Sequence, residues 1–137
     1  MIANGCANES DFCYNSSMKI MIVEDDAFLR KVYKKELEEP GIETIFAESA
    51  EKGIALLQKE KPSLVFLDIL MPGRDGYDVL AFMQKDPILA TIPVIVLTNL
   101  NQQVDMERAM QLGAKEFLSK GEIKVGDLAK IAREHVT

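Results

Sequence analysis

The stretch Leu64-Val65-Phe66-Leu67-Asp68-Ile69-Leu70-Met71-Pro72-Gly73 decides the fold of this chain. Four consecutive apolar residues, too few for a helix and without alternation, read as a strand buried on both faces of a parallel sheet. Asp68 closes that run and is followed by Ile69-Leu70-Met71-Pro72-Gly73. The run Ile20-Met21-Ile22-Val23 has the same form and closes on Glu24-Asp25-Asp26. Two buried strands that both end in carboxylates gather negative charge at one edge of a sheet. Such a cluster is tolerable only where a cation or a covalent reaction neutralises it.

Outward from these two runs, a third continuous apolar run covers 94–97. Two weaker ones cover 42–47, β-branched and half polar as an edge strand would be, and 116–119. Helical patterns fill the gaps. The first is expected over 27–39, with Phe28, Val32 and Leu37 inward and Pro40-Gly41 stopping it. The second runs over 50–59 with Ile54 and Leu57 inward, and others are expected over 76–85, 102–112 and 124–136. Strand and helix thus alternate five times, the pattern of an α/β fold with a doubly wound parallel sheet. Function in such sheets gathers at the carboxyl ends of the strands.

A chain of 137 residues, 47% hydrophobic, suits one compact domain. A net charge of −6 argues against nucleic acid as a partner, because phosphate backbones are held by clustered Lys and Arg. Arg30-Lys31 and Lys34-Lys35 are interleaved with apolar residues and Glu36, as on a solvated helix face. No apolar stretch approaches a membrane span and no signal peptide opens the chain, so no membrane is expected and the cytoplasm is the default. Cys6 and Cys13 lie in residues 1–17, which lack periodicity and read as a disordered tail with free thiols. His135 is the sole histidine, on an expected surface helix, which disfavours histidine zinc sites and Ser-His-Asp triads.

The strand ends supply the chemistry. Glu24, Asp25 and Asp68 offer oxygen ligands only, the donor set of a hard cation, and magnesium fits best. Asp26 is expected to cap the helix beginning at Ala27. Thr98 ends the fourth strand and Lys120 the fifth. Lys120 alone reads equally as an ion-pair partner or a catalytic group. With Thr98, it makes a socket for a tetrahedral anion, as phosphoryl transfer requires, and Asp68 becomes the candidate nucleophile. The second strand ends in Ala47-Glu48 and offers little.

The segments 18–26, 64–76, 94–98 and 115–120 resemble, in order and spacing, the four signature segments of bacterial response-regulator receiver domains. The resemblance covers 18–137. It implies strand order 2-1-3-4-5 and magnesium-dependent phosphorylation of Asp68 by a histidine kinase or phosphotransfer protein. By position it places magnesium on Glu24, Asp25, Asp68 and the Leu70 backbone carbonyl, with Thr98 and Lys120 on the phosphoryl group. It makes Thr98 and Phe117 the switch pair, although Phe117 reads equally as an ordinary core residue. The leading reading is a stand-alone phosphoprotein switch, with a fragment of a larger regulator left open, one that gains and loses its own aspartyl phosphate without being a turnover enzyme. Its output would be an unknown downstream protein, with phosphorylation-dependent dimerisation left open.

The chain departs from the family pattern in three places. Gly121 stands where proline usually follows the lysine, so a trans peptide is expected, with glycine flexibility forming the turn. Asn99 is larger than usual and either narrows access for small phosphodonors or caps the fourth helix. Leu70 and Leu100 cannot orient an attacking water, which implies a long-lived phosphoryl group. The alternative reading is a pseudo-receiver, a phosphorylation-independent protein-interaction module. A phosphatase with an aspartate nucleophile commonly carries Asp-x-Asp after the first strand, whereas here the best nucleophile follows the third.

Overall fold

A computed structural model describes residues 18–124 and 126–136; Cys6, Cys13 and the expected tail over 1–17 lie outside them. The chain runs β1 (Met18–Val23), α1 (Ala27–Glu36), β2 (Ile42–Ala47), α2 (Ala50–Glu60), β3 (Leu64–Leu67) and α3 (Gly76–Gln84). It continues through β4 (Val94–Thr98), α4 (Gln103–Gln111), β5 (Glu116–Ser119) and α5 (Asp127–Val136). Single 3-10 turns, Leu89–Thr91 and Lys120–Glu122, precede β4 and follow β5. All strand pairs are parallel, in the order β2-β1-β3-β4-β5, as the family resemblance implies.

Side chains alternate across a strand, so a sheet covered on both faces needs apolar residues at every position. Met21 and Val23 of β1 join Val65, Leu67, Val94 and Val96 in one apolar layer, where Leu57, Leu80 and Met83 of α2 and α3 cover them. Ile20 and Ile22 join Leu64, Phe66, Ile95 and Leu97 in the other, beneath Tyr33 and Leu37 from the α1 region and Leu128 and Ala132 from α5. The unbroken runs are thus two interleaved faces.

The helices correct the sequence reading in four places. α1 ends at Glu36, three residues early, because the residue before Pro40 is pushed out of helical backbone and Leu37 already serves as the cap. Phe28 is 72% exposed, not inward. Nine residues at 100° each set it half a turn from Leu37, which is fully buried, so the two cannot share a face. α5 begins at Asp127 and not at 124, since Gly126 has a φ of 91°, outside helical backbone, and Asp127 accepts a hydrogen bond from the Lys124 N–H at 2.8 Å. α4 begins at Gln103 behind Gln102, which makes no side-chain capping bond; Asn99 is exposed and is not that cap.

The caps nearest the strand ends are well formed. Asp26 accepts from the N–H groups of Phe28 (2.8 Å) and Leu29 (3.2 Å), as expected. Asp75 and Asp78 cap α3 reciprocally. Gly76 opens α3 against the nucleophile's own backbone: a Cβ there would sit 2.5 Å from the Asp68 carbonyl oxygen.

Candidate functional site

The sheet holds the acidic residues directly. Beyond the last residues of β1 and β3, the Glu24 N–H donates to the Ala47 carbonyl and the Asp68 N–H to the Val23 carbonyl, each at 3.0 Å. The carboxylates of Glu24, Asp25 and Asp68 therefore meet, one oxygen of each lying within 4.8 Å of the others. Glu24 and Asp68 are buried, at 2% and 4% exposure, while Asp25 is exposed. Lys120 spans the two buried acids, its Nζ 2.8 Å from Glu24 Oε1 and 2.9 Å from Asp68 Oδ2. Asp26 N–H donates to Glu24 Oε2 at 3.2 Å, and Leu70 N–H to Asp68 Oδ1 at 3.3 Å.

Burial pushes the Glu24 carboxyl above its ordinary value, and the Asp68 charge adds to this, opposed by Lys120 and the Asp26 N–H. Burial alone would lower the Lys120 ammonium. The two carboxylates it bonds outweigh that and hold it above its ordinary value. Three carboxylates facing one ammonium leave an oxygen-only donor set with excess negative charge and one exposed member, Asp25. The residues fit a hard divalent cation that keeps part of its water shell.

Thr98 and Phe117 stand on neighbouring strands. Thr98 ends β4 in register with Ser119 of β5; its fully buried hydroxyl accepts from the Leu100 N–H at 3.3 Å, leaving its proton free for another acceptor. Phe117, opposite Val96, is half-buried and lines a cavity of about 540 Å³ with Leu100, Met106 and Ser119. Leu70 has an exposed side chain, whereas Leu100 is half-buried against the apolar layer. Glu24, Asp25, Asp68, Thr98 and Lys120 thus stand at the carboxyl ends of the strands, whereas Phe117 lies two residues before the end of β5.

Gly121 follows Lys120 through a trans peptide, as expected. The turn does not depend on glycine, however: Gly121 lacks a positive φ, and a Cβ there would meet nothing nearer than the Ser119 hydroxyl at 3.9 Å. The 3-10 turn Lys120–Glu122 makes the bend. His135 is half-buried rather than on an open surface and pairs with Glu116.

Sequence reasoning missed Arg30 and Glu48. Lys31, Lys34 and Lys35 are exposed as expected, but Arg30 is half-buried, and its Nη1 donates to the Glu24 carbonyl at 2.8 Å. Its Nη2 lies 4.0 Å from Glu48, at the end of β2. No local pattern marks a basic residue six positions from its acceptor.

Residues 20–133 match the family model of the response regulator receiver domain. The chain is 34% identical over 102 residues to the protein PilH of Pseudomonas aeruginosa, covering 74% of this chain and 84% of PilH. It is 35% identical over 106 residues to the probable transcriptional regulator ycf27 of Porphyra purpurea, covering 77% of this chain but only 42% of that protein. The chain thus spans less than half the length of that longer relative. Among solved structures, the signal receiver domain of a signal transduction histidine kinase from Syntrophus aciditrophicus has a TM-score of 0.78 at 33% identity, covering 88% of this chain and 90% of that one. No described helix is long and apolar enough to cross a membrane. A five-stranded sheet in this order, an acidic rim crossed by one lysine, and matches of this extent have one reading: the chain belongs to the response regulator receiver domain family of two-component systems.

Proposed function

We propose that this protein is a phosphorylation switch in which Asp68 takes a phosphoryl group from the phosphohistidine of a histidine kinase or phosphotransfer protein. The observation that carries this reading is the Lys120 ammonium bridging Asp68 and Glu24 at 2.9 and 2.8 Å in a buried acidic cluster. An Asp68 carboxylate oxygen attacks phosphorus, the phosphorus–nitrogen bond breaks, and its electron pair leaves with the imidazole. Lys120 holds the nucleophile and stands beside the charge that develops on the phosphoryl oxygens. Magnesium, held by Glu24, Asp25, Asp68 and the Leu70 carbonyl, would supply further neutralisation of those oxygens. The buried Thr98 hydroxyl donates its free proton to a phosphoryl oxygen. Phe117, beside the cavity along α4, then repacks, and the altered face recruits or releases a downstream protein. The protein is a switch rather than a turnover enzyme.

Incubation with magnesium and a small acyl-phosphate donor, read by intact mass, tests the reading. The expected result is one added phosphoryl group on the wild type, lost with a chelator and in Asp68→Asn. Equal labelling of Asp68→Asn would place the chemistry elsewhere.

A further inference from the structure

We propose that Arg30 is a positioning residue that presets the acidic loop between β1 and α1 for a divalent cation. The inference deepens the reading of the acidic rim as a cation site and rests on it. Every polar atom of Glu24 has a partner. Its N–H donates to Ala47, Oε2 accepts from the Asp26 N–H, and Oε1 faces Lys120. The remaining group, the backbone carbonyl, accepts from Arg30 Nη1 at 2.8 Å. Arg30 is itself held back: its other nitrogen faces Glu48 at 4.0 Å, and Glu48 in turn pairs with Lys52 on α2. The strand end that looked inert in sequence thereby ties β2 and α2 to the loop carrying Glu24 and Asp25.

A guanidinium beside a cation site makes two opposed contributions. Its positive charge repels a second cation, so that on charge alone its removal tightens binding. Its planar fork fixes the loop, so that on geometry its removal loosens binding, as losing the outer partner of a metal ligand commonly does. Glu48 offsets part of the charge and leaves the fork intact. Positioning therefore prevails.

Magnesium binding is measured by calorimetric titration without a phosphodonor, on wild type, Arg30→Met and Arg30→Lys. Arg30→Met keeps the stem but loses charge and donors; Arg30→Lys keeps the charge and a single ammonium donor for the Glu24 carbonyl but loses the fork. The expected result is affinity about 10-fold weaker for Arg30→Met and intermediate for Arg30→Lys. A merely structural role would lower the thermal midpoint of metal-free protein and leave the magnesium affinity of the folded protein unmoved. Equal or tighter binding by Arg30→Met overturns the inference. Should that variant fail to fold, Arg30→Lys decides alone: several-fold weaker binding supports positioning and wild-type affinity overturns it. Asp25→Asn separates the two levels. Saturable binding by wild type that Asp25→Asn weakens upholds the cation site whatever Arg30 does; a wild type that takes up no magnesium overturns both.

Discussion

Lys19 and Lys120 bond carboxylates at nearly the same distance, at opposite ends of the sheet. Lys19, near the start of β1, lies 3.0 Å from Glu60 of α2, with side chains 31% and 25% exposed. Lys120, after β5, lies 2.8 and 2.9 Å from Glu24 and Asp68, with exposures of 11%, 2% and 4%. Water screens the first pair, and its net worth is small. At the carboxyl ends the same contact sits in a low-dielectric cluster with too few cations, where each charge depends on the others. Burial and charge imbalance, rather than contact distance, distinguish a site from a surface ion pair.

That contrast can be broken by deleting each lysine in metal-free protein and comparing denaturant midpoints. Lys120→Met is expected to cost ~3 kcal/mol, the low end for breaking a buried pair, because Asp25 leaves the cluster open to water. Adding magnesium recovers part of that loss by restoring positive charge. Gly76→Ala sharpens the comparison without touching a charge. Its Cβ would press to 2.5 Å from the Asp68 carbonyl and 2.8 Å from the Ile69 Cα, so a loss of about 2 kcal/mol is expected together with slower phosphorylation. Lys19→Met comes last, with the smallest shift of the midpoint and labelling of Asp68 unchanged. Equal losses at Lys19 and Lys120 would remove the basis of the comparison.

The same division separates what could be read from the sequence from what could not. Strand ends are local: Val23-Glu24-Asp25 and Leu67-Asp68 each announce a buried run meeting an acid, and the parallel alternation sends those ends to one edge. Thr98 and Lys120 close later strands and arrive with them. Phe28 misleads because one apolar residue beyond the inward face counts the same in composition as one upon it; only its angle to Leu37 reveals the difference. The starts of α5 and α4 depend on the backbone at Gly126 and Gln102, which composition does not reveal. Arg30 and Glu48 meet across separate elements, a relation no window of sequence contains.

If the buried rim selects Asp68 among three clustered acids, a phosphoryl group taken up by the protein sits on that residue. Borohydride reduction of protein labelled in magnesium, followed by peptide mass mapping, tests this most directly, since an aspartyl phosphate is reduced to homoserine at the position that carried it. Homoserine is expected at residue 68 alone, dependent on magnesium. Homoserine at residue 25 or a reduced glutamate at residue 24 instead, or labelled protein with no reducible acyl phosphate, would contradict this.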